Sequence, residues 1–156
     1  MSAVRPLSRP GLAALCILFT SFSPANGDTA VSGTISASTT WTLANSPYVV
    51  TGDLTVAGAA SPVLTIEPGV VVKAGDLSTI SIGTATLPGG LQAVGTPAAP
   101  IRFTTTRASV QPGSWRGIRF EAGATSSSRM AFVTVDSAGF RNAANEAGIM
   151  LNASVT

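Results

Sequence analysis

The 156-residue chain has no histidine, one cysteine (Cys16), one lysine (Lys73), and charged side chains at only 10% of its positions. With Cys16 inside a removable N-terminal segment, the remainder has neither His nor Cys. Ser-His-Asp and Cys-His nucleophiles, histidine metal sites and thiolate zinc are therefore excluded, and no disulfide contributes in an oxidising compartment. The shortage of long Lys, Glu and Arg side chains excludes a mainly helical chain, because such side chains cover exposed helices. Nine basic residues face seven acidic ones, and Arg5 and Arg9 supply the whole excess. The remainder is balanced, so nucleic acid is not an expected partner despite the basic pI. Asp53, Asp76 and Asp136 are scattered along the chain rather than gathered, so no calcium site, no other metal and no cofactor is expected.

What is there begins with an export signal. Arg5 and Arg9 precede the apolar run Gly11-Leu-Ala-Ala-Leu-Cys-Ile-Leu-Phe19, and Ala25 and Gly27 are the small residues before a cleavage point at Asp28. Those are the three parts of a secretory signal peptide, assigned to residues 1–27. The run is about half the roughly 20 residues a membrane span needs, so no stable span is expected after cleavage. Leu15 stands where a lipoprotein signal wants a small residue, which argues against lipidation of Cys16. The chain is thus expected to be exported: secreted to the exterior or the cell surface, or held in the periplasm.

Downstream, no stretch shows helical spacing of apolar residues, whereas alternating triplets recur: Leu64-Thr-Ile66, Val70-Val-Val72, Ile80-Ser-Ile82, Leu91-Gln-Ala93, Ile101-Arg-Phe103, Ile118-Arg-Phe120, Val133-Thr-Val135 and Ile149-Met-Leu151. Period 2 predicts short strands. Pro-Gly and Gly-Pro turn signals at Glu67-Pro68-Gly69, Pro88-Gly89-Gly90, Gly95-Thr96-Pro97 and Gln111-Pro112-Gly113 separate them. The triplets fall into two columns. Leu64, Leu91 and Ile118 recur every 27 residues with Ile149 a further 31 on, and Val70, Ile101 and Val133 recur at 31 and 32. Periods in this range mark stacked coils, and parallel neighbours need a long return path. The expectation is an all-β, partial right-handed parallel β-helix of three to five coils, with Leu64, Ile66, Leu91, Ala93, Ile101, Phe103, Ile118, Phe120, Val133 and Val135 inward. Residues 28–56 are assigned to an N-terminal cap with first strands, irregular over Ser23–Ser32, and residues 57–156 to the coils.

Stacking the rungs on that register puts Thr65, Gln92 and Arg119 in one outward row and Val71, Arg102 and Thr134 in another. It also aligns Glu67, Val94 and Glu121, leaving the two glutamates roughly 10 Å apart at about 4.8 Å per rung. That separation is near the upper edge of what inverting glycosidases use. The plainer reading is a corner residue and a polar strand end. Arg102, Arg107, Arg116, Arg119 and Arg129 concentrate positive charge in one stretch, with Glu121 and Asp136 as available partners, and guanidinium forks suit carboxylated sugars. Trp41 and Trp115 are either sugar platforms or core, and Trp115, just before Gly117, suits packing.

Leu64-Thr-Ile-Glu-Pro-Gly-Val-Val-Val-Lys73, Gly90-Leu-Gln-Ala-Val-Gly-Thr96 with Pro100-Ile-Arg-Phe-Thr104, and Gly113-Ser-Trp-Arg-Gly-Ile-Arg-Phe120 resemble the opening rungs of secreted bacterial right-handed parallel β-helix repeat proteins. The upstream stretch from Trp41 to Val56 resembles the strand that begins such domains. The resemblance runs from about Gly33 to Leu151 and implies the fold. Further rungs normally follow in that family, so a sequence stopping at Asn152-Ala-Ser-Val-Thr156 is expected to be a truncated N-terminal portion. The same rungs serve adhesins and carbohydrate-active proteins. The expected role is a non-catalytic secreted or cell-surface module, structural or adhesive, that binds extracellular polysaccharide or a cell-surface glycan at Gln92, Arg102, Trp115, Arg116 and Arg119. The alternative is the N-terminal part of a polysaccharide lyase or glycoside hydrolase whose catalytic coils lie beyond residue 156. The open edge of the last coil is also expected to favour edge-to-edge self-association.

Overall fold

The computed structural model describes residues 27–139 and 148–152. The proposed signal peptide lies, except for Gly27, outside the described residues. Among the described residues twelve strands follow one another: β1 (Thr29–Ile35), β2 (Thr39–Trp41), β3 (Tyr48–Val56), β4 (Val63–Ile66), β5 (Val71–Ala74), β6 (Thr79–Ile82), β7 (Gly90–Val94), β8 (Ile101–Thr105), β9 (Gly117–Phe120), β10 (Arg129–Ala131), β11 (Val133–Val135) and β12 (Ile149–Leu151). Every strand pairing is parallel.

The chain winds through three faces. Face 1 stacks β2, β4, β7 and β10. Face 2 stacks the first half of β3 on β5, β8 and β11, and face 3 stacks its second half on β6, β9 and β12. β3 therefore runs unbroken across two faces, and β1 lies along it on both. Coil 1 is β2 and β3, coil 2 β4–β6, coil 3 β7–β9 and coil 4 β10–β12. The architecture is a partial right-handed parallel β-helix, the hand that parallel crossovers adopt almost without exception.

Alternation explains the core. Leu64, Ile66, Leu91, Ala93, Ile101, Phe103 and Ile118 are each at most 2% exposed, while the residues between them point outward. Phe120 is buried, and Val133 and Val135 are half-buried in coil 4, so all ten residues expected inward pack against the core. Corners are made by the turn chemistry. At Glu67-Pro68-Gly69 the proline presets its own φ and Gly69 takes φ +80. In coil 4 the equivalent corner is the single residue Phe132, at φ +50 and 55% exposed.

The column assignment needs one correction. Val71, Arg102 and Thr134 do lie in register. Leu91 and Ile118, however, do not occupy equivalent positions. Leu91 stacks on Leu64 in face 1, whereas Ile118 sits between Ile80 and Ile149 in face 3. The 27-residue spacing joined two faces because the segment between β8 and β9, residues 106–116, happens to make up the difference. The outward rows are accordingly Thr40–Thr65–Gln92–Arg129 on face 1 and Thr34–Thr55–Ser81–Arg119–Met150 on face 3. Residues 29–32 are also strand rather than irregular, because β3 offers them a complete parallel edge.

Candidate functional site

Strands fix the three faces, so variation falls on the corners, where binding groups are easiest to display. The corner between faces 2 and 3 grows along the stack. It is Ser32 within β1, Thr51–Asp53 within β3, then residues 75–78, 106–116 and 136–148, of which 140–147 lie outside the described residues. The last two segments pack on each other: Trp115 bridges Ala138, and the Ser114 amide donates to the Ser137 carbonyl at 2.9 Å. Leu77 and Val110 stand exposed at this corner.

Asp53, Asp76, Arg107, Arg116 and Asp136 lie in these segments. On the face 2 side, the outward row of β5 and β8 carries Lys73 beside Thr104, and the chain places Asp136 directly after β11. The Asp136 carboxylate accepts from Arg102 Nε at 2.9 Å, from the Thr104 hydroxyl at 2.5 Å and from the Ser137 hydroxyl at 3.2 Å. Partial burial works against the charged form, but the Thr104 bond, the bond and charge of Arg102, and Ser137 outweigh it and hold the carboxyl below the usual range. Arg107 grips Asp76 with Nε and Nη2 together. Lys73 reaches Asp28 at 3.5 Å. Pairs this exposed contribute about 0.2–1 kcal/mol each, so their main effect is to orient the corner rather than to hold the fold.

The other carboxylates among the described residues are engaged too. Asp53 accepts from the Thr79 amide at 2.9 Å, Glu67 from the Leu43 amide at 2.8 Å and Glu121 from the Asn152 side chain at 3.1 Å. Glu67 and Glu121 follow face 1 and face 3 respectively, on different corners, so the stacked glutamate pair does not form. No group of three or more Asp and Glu residues converges among the described residues.

The five residues expected to bind ligand are divided by the fold. Gln92 lies on face 1, where its amide donates to the Ser127 carbonyl. Arg102 lies on face 2, exposed but paired with Asp136. Trp115 is 0% exposed and its indole N–H donates to the Asp136 carbonyl at 2.9 Å, so it is a core residue and presents no ring to solvent. Arg116 lies just before β9 with its amide on the Ser78 carbonyl, and Arg119 lies within β9 in the outward row above Ser81. Arg119 donates from Nη2 to Met150 Sδ at 3.7 Å and keeps a buried Nε–H without an acceptor. It has no carboxylate partner among the described residues. The Asp76–Arg107 clamp went unseen because 31 residues separate its members and neither belongs to a strand. The Thr104–Asp136 contact was readable by continuing the correct face 2 row two positions on.

Fold and corner together define a parallel β-helix module of repeating coils. Residues 33–148 match the family model described as "Pectate-lyase like beta helix domain", and the chain belongs to that family. No curated protein and no solved structure matches it.

Proposed function

We propose that this chain is a non-catalytic β-helix module of an exported protein, which uses its rigid stack as a structural or adhesive element and meets an extracellular polysaccharide or cell-surface glycan. The observation that carries the reading is the state of its carboxylates: each one among the described residues is tied to an arginine, a lysine, an amide or a hydroxyl. A general acid needs a carboxyl raised towards neutrality and a base needs a second group in reach of the same substrate atom. The Asp136 carboxyl is held below its usual range, away from that requirement. What remains for recognition is Arg119, flanked by the hydroxyls of Thr55 and Ser81, and guanidinium groups suit carboxylated sugars. Association through the edges of β10–β12, the outermost strands among the described residues, with another strand belongs to the same proposal.

Binding of the exported chain to immobilised glycans, lost on Arg119→Ala and kept on Arg129→Ala, is the expected result. Equal binding by both variants would remove the face 3 site. The family description favours a second reading, in which the chain is the opening part of a polysaccharide lyase or glycoside hydrolase with catalytic coils beyond residue 156. Turnover of a polyuronate by this chain alone, abolished by Glu67→Gln or Glu121→Gln, would overturn the non-catalytic reading.

A further inference from the structure

The seam between coils 3 and 4 is held differently from the others. Coil 2 meets coil 3 through side chains that are almost wholly buried, Leu64, Ile66, Ile80 and Ile82 against Leu91, Ala93 and Ile118. In coil 4 the inward positions Met130, Val133 and Val135 are only half-buried, while Ile149 is 39% and Leu151 65% exposed. Met130, Val133 and Val135 still pack against the core, Trp115 is buried where the two coils meet, and the strands of coil 4 are three residues long each.

Polar bonds converging on Asp136 add to that packing. Its amide donates to the Phe103 carbonyl at 2.9 Å, its carbonyl accepts the Trp115 indole, and its carboxylate holds Arg102, Thr104 and Ser137. Thr104 is 8% exposed, so losing its acceptor leaves a buried hydroxyl unsatisfied. Among the described residues, β8 supplies Arg102 and β5 supplies Lys73, one rung further away and already on Asp28; the same corner carries the Asp76–Arg107 pair and Arg116, and Glu121 meets Asn152 across the seam.

We propose that this seam is an acid-sensitive joint: protonation of Asp136 frees β10–β12 from β7–β9 while coils 1–3 stay stacked, baring the strand edges of coil 3. A carboxyl held below its usual range in the folded state contributes stability that is complete above the unfolded value of about 3.9 and is lost as pH falls through the folded value. Release therefore belongs below about pH 4. It is independent of whether the module binds glycan.

Native-state hydrogen exchange on the full chain, corrected for intrinsic rates, reads the joint directly. The Asp136 and Asn152 amides donate from coil 4 to the Phe103 and Phe120 carbonyls, and the Arg102 and Glu121 amides donate from coil 3 to Val70 and Ile82. Between pH 6 and pH 3, protection of the first pair should fall on the order of tenfold more than that of the second, the scale of one charged hydrogen bond. Asp136→Asn should show the low coil 4 protection already at pH 6, and Arg102→Gln should move its loss to higher pH. Asp76→Asn, which breaks the other clamp, should change neither. Parallel loss in both coils, or wild-type pH dependence in Asp136→Asn or Arg102→Gln, would overturn the joint.

Discussion

Trp115→Ala is expected to destabilise the chain by about 3–5 kcal/mol, the range for truncating a fully buried Trp. Trp115 is the largest of the side chains with under 2% exposure, and it sits where the long corner of coil 3 meets coil 4. Truncation opens a cavity between those coils and removes the donor to the Asp136 carbonyl. Trp115→Phe keeps most of the volume but loses the indole N–H and the small ring that carries it; a smaller loss than for Trp115→Ala is expected, of which about 1 kcal/mol belongs to the hydrogen bond. Chemical denaturation followed by circular dichroism measures both. A Trp115→Ala variant within 1 kcal/mol of the parent would mean that the corner segment is not part of the core.

Gly89→Ala should be comparably damaging for a different reason. Its Cβ would fall onto the Val56 carbonyl of the preceding coil, with the Gly83 amide nitrogen of its own corner 2.9 Å away, and both obstacles are backbone. Neither can move without parting the strands. A loss above about 3 kcal/mol is expected, placing it among the exceptional single substitutions. Gly52→Ala is the control, because nothing lies within 4 Å of the Cβ it would add. That change should stay within about 0.5 kcal/mol of the parent. Equal effects at the two positions would show that the coils are not in the close contact described.

The fold was legible in the sequence because alternation and turn chemistry act locally: each triplet announced its strand, and Pro68-Gly69 announced its corner. The register was legible only in face 2, where corners between successive rungs are of similar length and Val71, Arg102 and Thr134 keep their spacing. Faces 1 and 3 were run together because the lengthening of the corner at residues 106–116 carries no periodic signal. The site suffered most from this. A one-column error moved Arg119 beside Gln92, paired Glu67 with Glu121 and left Ser81 out of the row that Arg119 completes. Trp115 was ambiguous for a physical reason: Gly117 breaks the alternation at φ +97, so parity along β9 does not say which way the preceding ring turns.

Disulfide formation between engineered cysteines tests the three-face register most directly, since Cys16→Ser leaves a background without thiols. Adjacent parallel strands lie about 4.8 Å apart, within the Cα separation of about 4.4–6.8 Å that a disulfide spans. Under mild oxidation, Thr65→Cys with Gln92→Cys and Ser81→Cys with Arg119→Cys should each close within one chain, whereas Gln92→Cys with Arg119→Cys should stay reduced. Closure of the Gln92–Arg119 pair together with failure of Ser81–Arg119 would contradict the stack described.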